Sequence, residues 1–349
     1  MIDPGDAPQF DAPVSPPAPA TSESLPLEPT PPGAPDPSHV GTWESAPLCP
    51  PESVPPPEPL SPVVSDSAAQ LFLSYSQPYS PPRIPHMGHV ALLLLLILLG
   101  LAASAMVTGL AVGMHLFGLY SLKDAVSDVR FALMAQAALE ITPFLFALLL
   151  FPPLWNCSFF EGVHWNGHAV HRYLRRLFEA TFLCFLLALA DSALMPGPTD
   201  APIDKMLQSP GAAWMMAAFG TLLAPFFEEL AFRGFLLPAL CTAYDWTAER
   251  LTDREPRPLD LRGHPQWSLP AMIAGSIATS IPFALMHAEQ TAYAVGPLLL
   301  LIAVSLVLCF TRLATRSLAA SVLVHASYNF LLFALMFLGS GGFRHLDNM

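Results

Sequence analysis

Charge is scarce in this sequence of 349 residues: Asp, Glu, Lys and Arg make up 12%, against about a quarter in soluble domains. With 53% hydrophobic residues and a mean hydropathy of +0.48, that scarcity excludes an ordinary soluble domain and indicates a multi-pass membrane protein. Cysteine is also sparse. Cys49, Cys157, Cys184, Cys241 and Cys309 are scattered with no C-x-x-C pair, so neither a disulfide framework nor a thiolate zinc site is indicated. No basic stripe is present, which argues against a nucleic-acid partner. H-E-x-x-H is absent, and no internal repeat is visible. The opening MIDPGDAPQF has no basic region leading into an apolar core, so no cleavable signal peptide is expected and the first hydrophobic helix is expected to direct insertion.

The net charge of −12 is unevenly spread. Residues 1–85 hold ten acids against one base (Arg83), a net of −9; the remainder holds 17 acids against 14 bases, a net of −3. The same stretch contains 24 of the 39 prolines. Such a composition cannot bury enough apolar surface to offset ordering entropy, so 1–85 reads as a disordered, proline-rich acidic tail with P-x-x-P segments. Residues 86–349 read as the membrane domain.

Seven apolar runs follow: Val90–Tyr120, Val129–Phe151, Leu174–Met195, Gly211–Leu240, Ser268–Met286, Val295–Leu313 and Ser317–Leu338. Each is close to the roughly 20 residues that cross a bilayer core. The expected fold class is therefore all-α, a polytopic membrane helix bundle of about seven or eight transmembrane helices. Asp245–Trp267, with four arginines, reads as a charged loop. Under simple alternation, ten arginines fall on one side against four basic residues on the other, which favours a cytoplasmic N-terminus. The setting expected from this is a bacterial inner membrane.

The fourth run contains Glu228, Glu229 and Arg233 in FFEELAFR. Each charge at mid-membrane costs about 2.5–3.5 kcal/mol even on the lenient insertion scale, so the three must face protein or a wet cavity. Glu229 and Arg233 are four residues apart and share a helix face. Glu228 lies about 100° round the helix and points elsewhere. One carboxylate is thus neutralised while its neighbour is left for acid–base chemistry. Phe283 and His287 are one turn apart in FALMH, and His325 and Asn329 are one turn apart in HASYN. Polar groups on three membrane helices prefer one another to lipid, so convergence on one site is expected. A glutamate beside a histidine can activate water, and a second histidine with an asparagine can hold an oxyanion. Those are the parts needed to hydrolyse an amide. Simple alternation leaves a mismatch, however: His325 lies about 12 Å from the cytoplasmic end of its span and His287 far deeper, with Pro282 as a site for a kink.

EELAFR, FALMH and HASYN resemble, in order, the E-E-x-x-x-R, F-x-x-x-H and H-x-x-x-N signatures of the CPBP intramembrane proteases. That family includes the type II CAAX prenyl endopeptidases and the bacterial Abi group linked to bacteriocin self-immunity. The resemblance covers about residues 170–338. It implies that Glu228 is the general base, that His287 positions the water, and that His325 and Asn329 form the oxyanion hole. Glu229 and Arg233 would support the site, with Phe283 beside them. No cofactor is expected; the alternative is a zinc ion on Glu228, His287 and His325, which are ordinary ligand types. The expected partners are the bilayer and a peptide or protein substrate, lipidated or not.

Two other classes compete with a protease. A non-catalytic scaffold or immunity protein would use the same polar cluster only to lock helices, and a transporter would place it on a substrate path. The full complement of Glu228, His287, His325 and Asn329 argues against the first, and the lack of paired broken helices in two matching halves argues against the second. Glu140, Glu179 and Asp191 read as interfacial or interhelical polar groups. His164, His168 and His171 read as a solvated loop rather than a metal loop, and Trp155, Trp165, Trp214, Trp246 and Trp267 as interfacial belts.

Overall fold

The apolar runs become helices whose starts are set by short polar side chains. Ser268 and Ser317 cap their helices by accepting from the backbone N–H of Ala271 and Ala320, both at 3.2 Å. Asp128 does the same for Arg130 at 2.9 Å. The structure, a computed structural model, describes residues 84–195, 210–260 and 265–344, all within one compact unit that runs from Gln77 to Met349. The proline-rich reading of 1–85 therefore falls almost entirely outside the described residues.

Among the described residues ten α-helices order this unit: α1 (Met87–Gly113), α2 (Leu122–Ser127), α3 (Val129–Trp155), α4 (Phe159–Gly162), α5 (Gly167–Arg172), α6 (Leu174–Leu194), α7 (Gly211–Leu251), α8 (Leu269–Met286), α9 (Val295–Thr315) and α10 (Leu318–Gly339). Seven of them, α1, α3 and α6–α10, are long and apolar enough to cross a membrane. No β-strand occurs among the described residues. Large apolar side chains such as Leu95, Leu149, Phe178 and Phe310 point outward, as expected where the solvent is lipid rather than water. The protein is an all-α, multi-pass membrane protein.

Helices α1 and α3 pack as a pair. Their close approach depends on Gly100, because a Cβ there would collide with the Leu139 carbonyl oxygen. An aromatic cluster of Phe151, Trp155, Phe159 and Phe235 joins that pair to α4 and α7. Trp155 is thus a core residue, 5% exposed, and not part of an interfacial belt. Helices α8 and α9 pack together, α7 lies against α8, and α6 packs on α9 and α10.

Helix α7 differs most from expectation. It continues to Leu251, so the first part of the expected Asp245–Trp267 loop is helical. The helix is wound wide twice, as π-turns over Phe219–Leu223 and Leu230–Leu236. Each wide stretch ends just before a proline, Pro225 and Pro238. Proline has no N–H and its ring crowds the preceding turn, and a widened turn relieves that crowding. In a π-turn the carbonyl of residue i pairs with the N–H of i+5, as Phe219 does with Ala224 and Phe232 with Leu237. The next carbonyls along, Gly220 and Arg233, would need an N–H from Pro225 and Pro238, which have none. Both are served from neighbouring helices: Asn329 Nδ2 donates to Gly220 O at 2.7 Å, and Arg312 Nε donates to Arg233 O at 3.2 Å. Glu228 and Glu229 lie on the short α-helical piece between the two wide turns, Ala224–Glu229.

The depth mismatch disappears once the levels at which α8 and α10 begin are known. Asp245 on α7 accepts from both the backbone N–H and the hydroxyl of Ser268, which fixes the start of α8 at that level. From Asp245 back to Glu228 is 17 residues, about 25 Å, and from Ser268 on to His287 is 19, about 28 Å. Helix α10 begins higher, where Leu318 packs at Gly234. Leu318 to His325 spans about 10 Å and Gly234 to Glu228 about 9 Å, so all three residues meet at one level. Helix α8 runs unbroken through Pro282, and no kink is needed.

Candidate active site

The two glutamates divide as helix geometry predicts. Glu229 and Arg233 are both fully buried and pair at 2.7 Å. The Arg233 guanidinium also donates to the Ser305 hydroxyl at 2.7 Å and to the Ser305 carbonyl at 3.1 Å, and lies 4.4 Å from the Phe283 ring centroid. A carboxylate, a serine and an aromatic face compensate this buried cation, although its Nε and the Oε2 of Glu229 have no hydrogen-bond partner among the described residues. Glu228 points the other way, and its side chain keeps 17% exposure. A reagent can reach Glu228 but not Glu229.

Two imidazoles face Glu228. His287 Nε2 lies 3.7 Å from Glu228 Oε1, and His325 Nε2 lies 3.8 Å from Oε2. Both separations are too long for a direct hydrogen bond and too short to seat a water between the atoms, so a water that touches both partners would sit beside each pair. The far nitrogen of each ring is tied down. His287 Nδ1 is 2.9 Å from the Phe283 carbonyl, which can only accept, so that nitrogen carries the proton and, in the neutral ring, leaves Nε2 with a lone pair. His325 Nδ1 is 3.0 Å from Glu229 Oε1, the oxygen already held by Arg233. His325 therefore stands between the two carboxylates, donating to the structural one and facing the accessible one. Phe283 packs against both rings, at 5.1 Å from His287 and 6.0 Å from His325.

The structure thus brings together Glu228, Glu229, Arg233, Phe283, His287 and His325. Asn329 is placed differently: one of its amide hydrogens is committed to Gly220 O, and only the second is free for a ligand. Among the described residues no three His, Cys, Asp or Glu side chains are arranged to hold a metal ion.

Three participants were not singled out from sequence. Ser305 looks like any small residue in the apolar α9, and its signal was only that a hydroxyl deep in such a span needs a partner. Arg312 was counted among the basic residues of one membrane face, yet it is 1% exposed and binds His164 Nδ1 at 2.8 Å as well as Arg233 O. Glu140, read as an interfacial or interhelical polar group, accepts within its own helix from Gln136 at 2.7 Å and lies within electrostatic reach of Glu228. Its helix face is held there by Phe144, one turn on, whose ring meets Phe226 and Phe227 at 5.3 and 5.7 Å. Glu179 instead pairs on the surface with Arg175, and His164 is buried rather than solvated.

Residues 210–331 match the family model described as Rce1-like, type II CAAX prenyl endopeptidase Rce1-like. Comparisons with curated proteins and with solved structures return no match. The matched segment runs from α7 into α10 and contains all seven residues of the three motifs. The match covers about a third of the chain, and over that segment the chain is similar to the type II CAAX prenyl endopeptidases.

Proposed function

We propose that this protein is an intramembrane endopeptidase in which Glu228 activates water to hydrolyse a peptide bond. The observation that supports it is the convergence of both imidazoles on the accessible Glu228 carboxylate, at 3.7 and 3.8 Å. A water beside Glu228 and His287 donates one hydrogen to the His287 Nε2 lone pair and the other to Glu228. Glu228 takes its proton as the oxygen attacks the carbonyl carbon. The developing oxyanion is met by the second amide hydrogen of Asn329 and, when its ring carries both protons, by His325 Nε2–H. With that proton, Glu228 and Glu229 are balanced by Arg233 and His325. The tetrahedral intermediate collapses as Glu228 returns its proton to the departing amine, leaving a carboxylic acid and a free amine. A positioned general base contributes about 10²–10⁴-fold, and each oxyanion donor about 10²–10³-fold.

The substrate class proposed is a C-terminal or membrane-proximal segment of a peptide or protein, prenylated or not. The arginine distribution supports a cytoplasmic N-terminus, and the setting proposed is a bacterial inner membrane. The test is cleavage by the purified full-length chain in proteoliposomes, using prenylated C-terminal peptides and unmodified bacteriocin-type precursors as separate substrates. Hydrolysis that persists after exhaustive chelation is expected. Loss of activity on chelation with recovery on zinc would replace this scheme by the zinc alternative on Glu228, His287 and His325. No cleavage of either class would reject the protease reading.

A further inference from the structure

A second feature lies at the junction of α5, α6 and α9, away from the glutamates. A polar bowl of about 880 Å³ is lined by Glu161, Asn166, His168, Arg172 and Arg316, among others. An apolar groove of about 600 Å³ runs between α6 and α9, over Leu177, Ala180, Leu183, Val307, Phe310 and Ala314. Tyr173 and Thr315 line both. Tyr173 directly precedes α6 and Thr315 ends α9, so the two cavities meet where neighbouring spans leave the membrane. A bilayer around these spans would put the bowl at headgroup level and the groove within the hydrocarbon.

The groove runs from Tyr173 to Leu183, ten residues of helix or about 15 Å, which is half of a hydrocarbon core of about 30 Å. That length fits a chain from one leaflet and is too short to seat a whole transmembrane helix. Ala180 and Ala314 are the small side chains that leave the depression. At its mouth the guanidinium groups of Arg172 and Arg176 both lie over the Tyr173 ring, at 5.6 and 5.7 Å, so two cations are held on one support. Of the acids lining the two cavities, Asp260 is held by Arg316 at 3.0 Å and Glu179 by Arg175 at 2.9 Å. Glu161 remains in the bowl, set against Arg172 and Arg176, and no carboxylate pairs with either of those arginines among the described residues.

We infer that this junction is a binding site for an anionic phospholipid, with its phosphate on Arg172 and Arg176 and one acyl chain in the α6–α9 groove. Basic pockets at the ends of spans favour anionic headgroups in this way. The proposal is independent of the chemistry assigned to Glu228.

The test is native mass spectrometry of the delipidated full-length chain in a non-ionic detergent, titrated with phosphatidylglycerol or with phosphatidylcholine of equal chain length. Phosphatidylglycerol is expected to be retained at least about ten-fold more strongly. Arg172→Gln with Arg176→Gln is expected to weaken its retention about thirty-fold, or about 2 kcal/mol at about 1.4 kcal/mol per decade. Ala314→Trp, which fills the groove and leaves every charge in place, should weaken both lipids without changing their ratio. Unchanged thermal melting of the variants serves as the folding control. Equal retention of the two lipids, or full retention by the arginine variant, would overturn the proposal. So would competition by soluble glycerol phosphate as strong as by the lipid, which would mark a site for a free anion. Copies of an Ala314→Cys variant that cross-link in vesicles and exclude lipid would assign the groove to a second copy instead.

Discussion

Removing either member of the Glu229–Arg233 pair should unfold the site, and removing both should restore the fold but not the chemistry. Both side chains are fully buried and 2.7 Å apart. Glu229→Leu leaves a buried guanidinium with Ser305 and the Phe283 ring but no carboxylate; Arg233→Leu leaves a carboxylate with only the His325 ring. Breaking a buried pair from one side costs about 3–5 kcal/mol, because the surviving charge is uncompensated. Additivity would then put the double variant about 6–10 kcal/mol down. Replacing a buried pair by apolar residues of similar volume is often near neutral, so the double variant Glu229→Leu/Arg233→Met should lie within about 2 kcal/mol of the native protein. Its peptidase activity should nevertheless stay lost, because His325 Nδ1 no longer has the acceptor that holds its ring toward Glu228. Stability is read by denaturant or thermal unfolding in micelles, and activity by peptide cleavage in proteoliposomes. Two outcomes would refute the reasoning: singles that cost under about 1 kcal/mol, or a double variant whose activity returns along with its stability.

Four further outcomes are expected. Arg312→Met should expose the need of the Arg233 carbonyl for a donor, costing about 1–3 kcal/mol, with Arg312→Lys recovering part of it; equal melting points for the two variants would contradict this. Gly275→Ala places a Cβ 2.7 Å from Cys241 Sγ, so it should separate α7 from α8 and destabilise by about 1–3 kcal/mol, while Gly275→Ala with Cys241→Ala should recover most of the loss. Asp245→Ala removes both acceptors of Ser268 and should fray the start of α8, seen as faster amide exchange there; unchanged exchange would count against the capping role. The Asp128 carboxyl is held below its ordinary range by its hydrogen bond to Arg130, partly offset by burial. A depressed value in the fold means its contribution is present above the ordinary aspartate range and is lost as pH falls through the lowered value. Asp128→Asn should flatten the acid limb of the stability curve, and an unchanged limb would contradict this.

The membrane helices were legible because a span of about 20 residues cannot hide in a sequence with so few charges. Helix periodicity also gave the site's central division, since Glu229 and Arg233 share a face by spacing alone while Glu228 does not. The wide turns of α7 were not legible from periodicity, although Pro225 and Pro238 were in plain view. What they imply depends on which side chain reaches the orphaned carbonyl, and that is a matter of packing. Arg312 illustrates the same limit. A cation near the end of a span is more often an interfacial anchor than a buried donor, and only the position of α9 against α7 separates the two. The starts of α8 and α10 were legible to within a residue, but the levels at which they begin were not. Helix α7 runs on to Leu251 and carries the start of α8 outward with it, whereas simple alternation starts both spans at one level and so separates His287 from His325 in depth.

The central claim is that two adjacent carboxylates hold different jobs. It is tested most directly by measuring cleavage rate and melting temperature for Glu228→Gln and Glu229→Gln side by side. Glu228→Gln should melt like the native protein while cleavage falls by about 10²–10⁴-fold, whereas Glu229→Gln should lose stability and activity together. A Glu228→Gln variant that still cleaves at the native rate would contradict the assignment of the base.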